Sequence, residues 1–426
     1  MPAEMKDTVE YLQSLAAVRE RCEAVLELGL ADKLECFSVR LDKLPEAAEM
    51  ITKLIIRDYG NVGPAEVDST IANIPPHGRW RHFGAENVER LIKELEVALN
   101  GDKIKITTSM LDLFIVAVLL DAGAGDAWKY NDNGKTIVRS EGLAVAALRM
   151  FQSGLFSSSE KLRVDSRGLK NLKESDLVAG FQVSQDNPLL GVGGRLALLH
   201  QLGNVIEKQT QYFPKDSEGF SRPGALVEYL TTKQSAKSQV HIDVFWDLVI
   251  NGFGGVWPES RTKLNGVSLG DVWPCAVLGC LIPFHKLSQW LSYSLMEPIS
   301  YFLGIEFVNA EKMTGLAEYR NGGLFVDLSI ITLKESAKKY GIQSADFSVP
   351  TFAPDSPVIV EWRALTVALI DRLAILMRSQ LKVNAECLPL PKLLEAGTWK
   401  AGREIAKQLR PGGGPPIALL SDGTLF

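Results

Sequence analysis

Apolar residues recur along most of this chain at steps of three and four, the period of a helix with a buried face. The clearest stretches are 14–29, 87–99, 110–122, 142–152, 194–208, 239–251, 284–297, 362–381 and 398–409. Alternation typical of strands is confined to short pieces such as 325–333 and 415–420. The pattern therefore predicts a mainly α protein with short β elements.

The least helical interval is 210–238, which combines prolines, glycines and many polar residues. It predicts a boundary between an N-terminal helical half, 1–215, and a C-terminal helical half, 216–426, which would carry most of the site. A surface excursion within one domain is an equally good interpretation. Because candidate site residues come from both ends of the sequence, we expect two interdependent halves in one integrated unit.

Charge and composition narrow the class of partner. The 426 residues carry a net charge of −5, with 46% hydrophobic and 23% charged residues. This balance argues against a nucleic-acid polymer or an anionic membrane as partner. The N-terminal residues have no apolar signal region, and no stretch reaches about 18 uncharged apolar residues. We expect a cytoplasmic protein, with the nucleus as an alternative, and the oligomeric state stays open.

Cysteine and histidine spacing predicts no metal and no cofactor. There are five of each. Only Cys275 and Cys280 are close together, with four residues between them rather than the two typical of zinc and redox motifs. No two histidines stand at i, i+4, so a zinc site is not expected.

The segment 283–298 is the most informative part of the chain. On a helix, Lys286, Trp290, Tyr293 and Glu297 share one stripe, and Gln289 lies beside it. Two aromatic rings mixed with a cation, an amide and a carboxylate are typical of a pocket wall that stacks on a flat ligand. The alternative is a second packed face with Lys286 extended along the surface.

Glu297 precedes Pro298, a position at which a helix is expected to end. A carboxylate there would face the negative end of the helix dipole, which is locally unfavourable. Unfavourable charges are more often tolerated at functional sites, although an arginine partner would explain Glu297 equally well.

Two further segments concentrate ionisable groups. Glu318, Tyr319 and Arg320 precede a pair of glycines, where backbone can approach a ligand closely. Glu361 and Arg363 open a helix so apolar that their charges need partners. For Arg363, contact with a pocket and structural salt bridging are equally good interpretations.

The arm 75–83 packs two arginines, two histidines and two aromatic residues into nine positions. Arg81 and His82 are therefore candidates for a phosphate or base clamp. The alternative is an extended arm that packs through Trp80 and Phe83.

Motifs spread over nearly the whole chain resemble the uracil-catabolism family of fungi and bacteria, the Urc/Urg group long known only as a domain of unknown function. They are WRHF at 80–83, LLDAGAG at 119–125, RSEGLAVA at 139–146, PFHKLSQWL at 283–291, EYRNGG at 318–323, VEWRALTVALIDRL at 360–373 and RPGGGPP at 410–416. The resemblance implies a role in a route that takes uracil, in ribosylated or ribotide form, through a ribosylurea-type intermediate toward urea. It does not fix the step.

A weaker resemblance concerns the reaction. The order of Lys286 with Gln289, then the motif 318–320, then Glu361 with Arg363, is similar to the queuosine-nucleotide N-glycosylase family. That resemblance implies a helical, DNA-glycosylase-like architecture. The chain departs from the pattern near Ser294, where that family's catalytic aspartate is expected, and Glu297 is the nearest substitute.

Together these features predict a metal-independent hydrolase that cleaves an N-ribosidic bond in a small phosphorylated or ribosylated pyrimidine-derived ligand. Glu297 or Glu318 would be the catalytic carboxylate, with Trp290 and Tyr293 as an apolar wall. The cationic and polar ligand contacts would be Lys286, Gln289, Tyr319, Arg320, Glu361, Arg363, Arg81 and His82. The alternatives are a ureide amidohydrolase and a non-enzymatic partner or regulator of the same route.

Overall fold

Helices dominate the computed structural model, which describes residues 7–60, 67–121, 123–124, 127–233, 238–258, 260–344 and 348–420. The mainly α prediction is confirmed. The first helices are α1 (Val9–Leu12), α2 (Leu15–Leu30), α3 (Leu44–Tyr59), α4 (Val67–Ala72), α5 (Ala85–Ala98), α6 (Lys103–Leu119), α7 (Arg139–Ser153), α8 (Ser166–Asn171) and α9 (Glu174–Gly180). The others are α10 (Val192–Lys208), α11 (Leu226–Thr232), α12 (Ile242–Phe253), α13 (Lys286–Leu303), α14 (Tyr319–Asp327), α15 (Pro357–Leu381), α16 (Leu390–Leu393) and α17 (Trp399–Leu409).

The strands are short and pair two by two. They are β1 (Phe37–Val39), β2 (Lys129–Asp132), β3 (Lys135–Val138), β4 (Gln239–His241), β5 (Lys263–Leu264), β6 (Val267–Ser268), β7 (Val272–Cys275), β8 (Cys280–Pro283), β9 (Glu306–Val308), β10 (Ile331–Leu333), β11 (Thr351–Phe352) and β12 (Ala418–Leu419). The pairs β1–β10, β2–β3, β5–β6 and β7–β8 are antiparallel, and β4–β9 and β11–β12 are parallel. Since each sheet has two strands, packing between helices supplies most of the core.

The chain divides into two compact units. Among the described residues, the first comprises those within 7–77, 262–289 and 311–420, and the second comprises those within 78–261 and 290–310. The division falls inside helix α13. Each unit is discontinuous in sequence, and the predicted boundary at residues 215 and 216 stays a prediction.

In the first unit, the long helix α15 forms the centre of the core and packs against α2. Its start is set by Ser356, whose hydroxyl accepts a hydrogen bond from the Val358 N–H at 3.3 Å, and by Pro357 in the first turn. Both features favour helix initiation. From Val358 to Ile370 every residue of α15 is buried, so charges in this stretch must find partners inside the protein.

In the second unit, helix α6 has the same central position. Its N-terminus is capped by Asp102, and all residues from Ile106 to Leu119 are buried. Asp112 lies within this buried run and accepts hydrogen bonds from the Gly224 N–H at 2.8 Å and from Arg222 at 2.6 Å. This carboxylate therefore holds the 222–225 segment directly against the helix.

Helix α13 does not end at Glu297 as the sequence predicted. It continues through Pro298 to Leu303. Proline removes one backbone hydrogen bond and normally breaks a helix, but Leu295 and Ile299 on either side are both fully buried. Packing of the flanking turns outweighs the lost bond, so Glu297 lies inside the helix and the dipole argument for it does not apply.

Three other element predictions need correction. The stretch 325–333 begins as the end of α14 and becomes a strand only at Ile331, while 239–251 begins with strand β4. The interval 210–238 also contains helix α11. Strands β4 and β10 pair with partners distant in sequence, Glu306–Val308 and Phe37–Val39, and local periodicity carries no information on such pairing. No helix among the described residues is long and apolar enough to cross a membrane.

The contact between α6 and the 222–225 segment leads to a stability prediction. A Cβ atom at Gly224 would lie 2.0 Å from the Thr108 carbonyl oxygen, so Gly224→Ala should lower the free energy of unfolding by about 1–3 kcal/mol through overpacking. Gly193, in the first turn of α10, has nothing within 4 Å of its Cβ position, and Gly193→Ala should change stability by less than about 1 kcal/mol. Urea unfolding midpoints compare the two variants, and equal midpoints would contradict the close contact.

Candidate functional site

In the first unit, the charged end of Arg363 is buried against the carboxylate of Asp271. Arg363 donates from Nη1 and Nη2 to the two carboxylate oxygens, each at 2.7 Å, and from Nε to the Ala317 carbonyl at 3.3 Å. Its guanidinium also lies 4.1 Å from the centre of the Phe284 ring. The hydrogen-bonding edge of Arg363 is thus held by the protein, in agreement with the salt-bridging interpretation of this residue.

Asp271 also fixes the start of helix α13. Its carboxylate accepts hydrogen bonds from the Lys286 backbone N–H at 2.9 Å and from Trp273 Nε1 at 2.7 Å. Burial alone would raise the pKa of Asp271, but the charge of Arg363 and these hydrogen bonds outweigh burial and hold the pKa well below its ordinary value. Asp271 is therefore a buried, ionised carboxylate.

Gln289 is fully buried and uses both ends of its amide. Nε2 donates to the Thr314 hydroxyl at 2.7 Å and to the Phe284 carbonyl at 3.2 Å, and Oε1 accepts from the Thr314 N–H at 2.9 Å. These bonds tie the first turn of α13 to the segment that precedes α14. Gln289 thus positions neighbouring groups through contacts within the protein.

Glu318 caps the N-terminus of α14. Its two carboxylate oxygens accept hydrogen bonds from the backbone N–H groups of Arg320 at 2.8 Å and Asn321 at 2.5 Å. Burial raises the pKa of the Glu318 carboxyl, while these bonds and the nearby charges of Lys286 and Arg320 act in the opposite direction. The result is a buried acid that keeps its proton to a higher pH than an exposed glutamate, a property that general acids need.

The side chain of Arg320 turns toward the C-terminal glycine run. Its Nη1 donates to the Gly413 carbonyl at 2.7 Å, and its guanidinium lies 4.8 Å from the centre of the Tyr319 ring. Gly402 of α17 packs directly on the Arg320 backbone, because a Cβ there would lie 2.1 Å from the Arg320 carbonyl oxygen. The C-terminal segment is therefore docked at Gly413, and β12 continues the docking by pairing with β11. The residues from 421 lie outside the described part of the chain.

Glu361 supports the backbone before strand β1. Its carboxylate accepts hydrogen bonds from the N–H groups of Cys36 at 3.0 Å and Glu35 at 3.3 Å. Burial raises the pKa of Glu361, and these backbone bonds oppose that effect. The contacts explain a buried glutamate here without a ligand.

In the second unit, the arm after His77 packs on the later turns of α13. The Arg79 N–H donates to the Ser294 hydroxyl at 3.1 Å, and that hydroxyl donates to the Trp290 carbonyl at 2.7 Å. The rings of His82 and Trp290 meet edge to face with their centres 5.8 Å apart. Ser294, where the N-glycosylase resemblance would place an aspartate, thus holds the arm.

Arg81 and Glu297 form an ion pair in this unit, with 25% and 18% of their side chains exposed. The arginine partner considered for Glu297 is therefore present. Trp290 and Tyr293 on the same helix are buried, as both the pocket interpretation and the packing interpretation require.

Both units hold predicted site residues. In the first are Lys286, Gln289, Glu318, Tyr319, Arg320, Glu361 and Arg363, and in the second are Arg81, His82, Trp290, Tyr293 and Glu297.

Sequence reasoning missed several polar residues that the structure makes prominent. Asp271 was not singled out, because nothing local marks it as the partner of an arginine 92 positions later. His77 pairs with Glu395 through Nδ1 and Oε2 at 2.6 Å, and Glu395 lies in the π-helical segment Leu394–Thr398, an irregularity frequent at functional sites. Among the described residues, no group of three or more histidine, cysteine and acidic side chains could hold a metal ion.

Comparison with known proteins gives a family and two close relatives. The family model described as "Protein of unknown function (DUF1688)" matches residues 11–426. "Uracil catabolism protein 4" of Lachancea kluyveri is 39% identical over 449 residues, covering 98% of this chain and 99% of the relative. "Protein urg3" of Schizosaccharomyces pombe is 41% identical over 428 residues, covering 99% of both.

The Arg363–Asp271 pair leads to a second stability prediction. Asp271→Asn leaves a buried guanidinium without its counter-charge and should lower the free energy of unfolding by about 3–5 kcal/mol. Asp371 on the same helix as Arg363 pairs with Arg19 at 2.8 Å in a partly exposed setting, and Asp371→Asn should cost about 1 kcal/mol or less.

The Arg363–Asp271 pair also predicts a pH dependence of stability. Because the pKa of Asp271 is lower in the folded than in the unfolded protein, its ionised form stabilises the fold at neutral pH, and this stabilisation is lost as the pH falls below the unfolded-state pKa of about 4. Urea unfolding of both variants at neutral and acidic pH checks this, and equal losses at neutral pH would contradict it.

Proposed function

This chain belongs to the DUF1688 family, and from its relatives we propose that it takes part in uracil catabolism. One relative carries that role in its name, and the identity extends over nearly the full length of both chains. The motif resemblance found in the sequence supports the same role.

The reaction we propose is hydrolysis of an N-ribosidic bond in a uracil-derived ribotide or a ribosylurea-type intermediate. Water adds its oxygen to the anomeric carbon, the bond from that carbon to nitrogen breaks, and a proton passes to the departing nitrogen. The products are a ribose or ribose phosphate and uracil or urea. Positive charge develops on the sugar ring in the transition state, so a suitably placed carboxyl group can contribute as acid or as electrostatic stabiliser.

The observation that carries this proposal is the environment of Glu318. It is a buried carboxyl with a raised pKa, oriented by two backbone N–H groups and close to the charges of Lys286 and Arg320. Such a group can donate a proton to a leaving nitrogen, and the adjacent cations stabilise the carboxylate that this transfer produces. The neighbouring glycines, Gly322 and Gly323, pack closely against Trp362, Thr366 and Pro416, so the close approach that the sequence predicted here is made by the protein itself.

Glu297 is the second candidate carboxylate. It is partly exposed and paired with Arg81, and a carboxylate in an ion pair is better suited to stabilising positive charge than to donating a proton. The two glutamates therefore differ in expected role, and substitution of each can separate them.

We expect the purified protein to release ribose phosphate from ribosylurea phosphate or from uridine monophosphate. Glu318→Gln should lower kcat at least a hundredfold, because the proton donor is removed while the size of the side chain is kept. Release of sugar is measured by a reducing-sugar or chromatographic assay. An amidohydrolase would instead release ammonia or carbamate and leave the sugar attached.

A matched control is available because Glu318 also caps a helix. Asp165 is a buried N-cap of α8 that accepts the Gly168 N–H at 2.8 Å, so Asp165→Asn should perturb stability without a comparable loss of kcat. If folded wild-type protein releases no sugar from either compound, the hydrolase proposal is wrong. If Glu318→Gln turns over at the wild-type rate, Glu318 is not the proton donor. A loss confined to Glu297→Gln would assign catalysis to that carboxylate.

The raised pKa of Glu318 predicts a pH dependence. If Glu318 donates a proton, kcat/KM should decline as the pH rises through its pKa, because the acid form is lost. Since burial raises that pKa, the decline should lie above the ordinary glutamate range. The wild type and Asp165→Asn should show the same decline of kcat/KM with rising pH. If the residual activity of Glu318→Gln declines over the same pH range, a group other than Glu318 causes the decline.

A further inference from the structure

Arg79 is the most unusual charged residue of the second unit. Its side chain is fully buried, and one of its donors, Nη1, bonds to Asp121 Oδ2 at 2.7 Å. Its Nε and Nη2 have no hydrogen-bond acceptor among the residues that the structure describes. Two unsatisfied donors on a buried cation are costly, and proteins seldom retain them without a use.

The two unsatisfied donors form one edge of the guanidinium. Nε–H and one N–H of Nη2 point in the same direction and match the two oxygens of a single oxyanion. Arg149 in the same unit uses this edge on a carboxylate, with Nε and Nη2 bonded to the two oxygens of Asp132 at 2.9 and 2.8 Å. The Nε–Nη2 edge of Arg79 therefore has the geometry to pair with one oxyanion, and no described group of the protein occupies that role.

The surroundings of Arg79 hold it rigidly in place. Its backbone N–H is bonded to Ser294, and Asp121 holds the opposite side of the guanidinium. Asp121 is 12% exposed, so the cluster reaches the surface on that side.

A second buried guanidinium lies in the same region. Arg195 donates to the carbonyls of Leu120 at 2.9 Å and Gly123 at 3.3 Å, on either side of Asp121. The carboxylate of Asp121 acts on the charges of both Arg79 and Arg195, and Glu141 acts on Arg79. Arg79 and Arg195 thus place two guanidinium groups close to the carboxylate of Asp121.

We propose that the Nε–Nη2 edge of Arg79 binds a phosphate monoester, at a site that lies within the second unit. The inference goes beyond the proposed function and does not depend on it, because Glu318 belongs to the first unit. The arginine that recognises phosphate is then Arg79, while Arg81 is engaged with Glu297.

Calorimetric titration of the intact protein with ribose 5-phosphate, ribose and malonate tests the assignment without requiring turnover. Ribose 5-phosphate should bind, and ribose should bind at least tenfold more weakly. Arg79→Lys keeps the charge but lacks the bidentate edge, so it should weaken ribose 5-phosphate binding at least tenfold. Arg149→Lys, the matched control, should bind it as the wild type does. Equal binding by Arg79→Lys and wild type, or tighter binding of malonate than of ribose 5-phosphate, would overturn the phosphate site.

A measurement on the wild type keeps the proposal testable if Arg79→Lys does not fold. Crystals soaked in arsenate should show an anomalous peak within hydrogen-bond distance of Arg79 Nε and Nη2, and a peak found only elsewhere would refute the site. The binding results stand apart from the hydrolase assay. Phosphate binding at Arg79 without sugar release would retain this site and reject the reaction, whereas sugar release without binding at Arg79 would do the reverse.

Discussion

The buried pair of Asp271 and Arg363 is the constraint on which the first unit depends. Asp271 precedes the β7–β8 hairpin and bonds to the backbone at the start of α13, while Arg363 lies in the first third of α15. A carboxylate and a guanidinium that are both buried must stay paired, because either alone would carry an uncompensated charge in a low dielectric. The pair therefore holds the β7–β8 hairpin, the start of α13 and the core helix α15 in fixed positions relative to one another. It also sets the position of Lys286 and, one turn later, of Gln289.

Other buried acids of the first unit serve the backbone. Glu318 closes the first turn of α14, and Glu361 receives the N–H groups that precede β1. Both have a raised pKa because burial disfavours the charged form. What distinguishes Glu318 is the pair of nearby cations, Lys286 and Arg320. A structural cap needs no cations beside it, whereas a group that gains and loses a proton during a reaction is helped by them.

The sequence predicted the helical class because a helix that buries one face in the core must repeat apolar residues every three or four positions, and this repeat is visible along long stretches of the chain. Its ordered motifs also identified the family, which the comparisons confirm. It could not predict which charges pair over long distances. Arg363 was equally compatible with a ligand and with a salt bridge, and only the fold brings Asp271 to it. Pro298 was misinterpreted for a related reason, since tertiary packing of Leu295 and Ile299 outweighs a local breaker. The N-glycosylase resemblance stays a prediction.

Accounting for donors and acceptors separates charges that serve the fold from charges that can serve a ligand. The donors of Arg363 go to Asp271 and a carbonyl, and those of Arg149 go to Asp132, Gln152 and Asn87. The protein's own acceptors offset the desolvation cost of these two guanidinium groups. Their presence therefore needs no explanation beyond the stability of the fold. Arg79 is more deeply buried than Arg149 and yet satisfies only one side of its guanidinium. Desolvation of that unsatisfied edge costs stability whenever no acceptor is bound, and folding alone offers no compensation for such a cost. A ligand that supplies two oxygens would provide it, which makes function the simpler explanation for an arginine at this position.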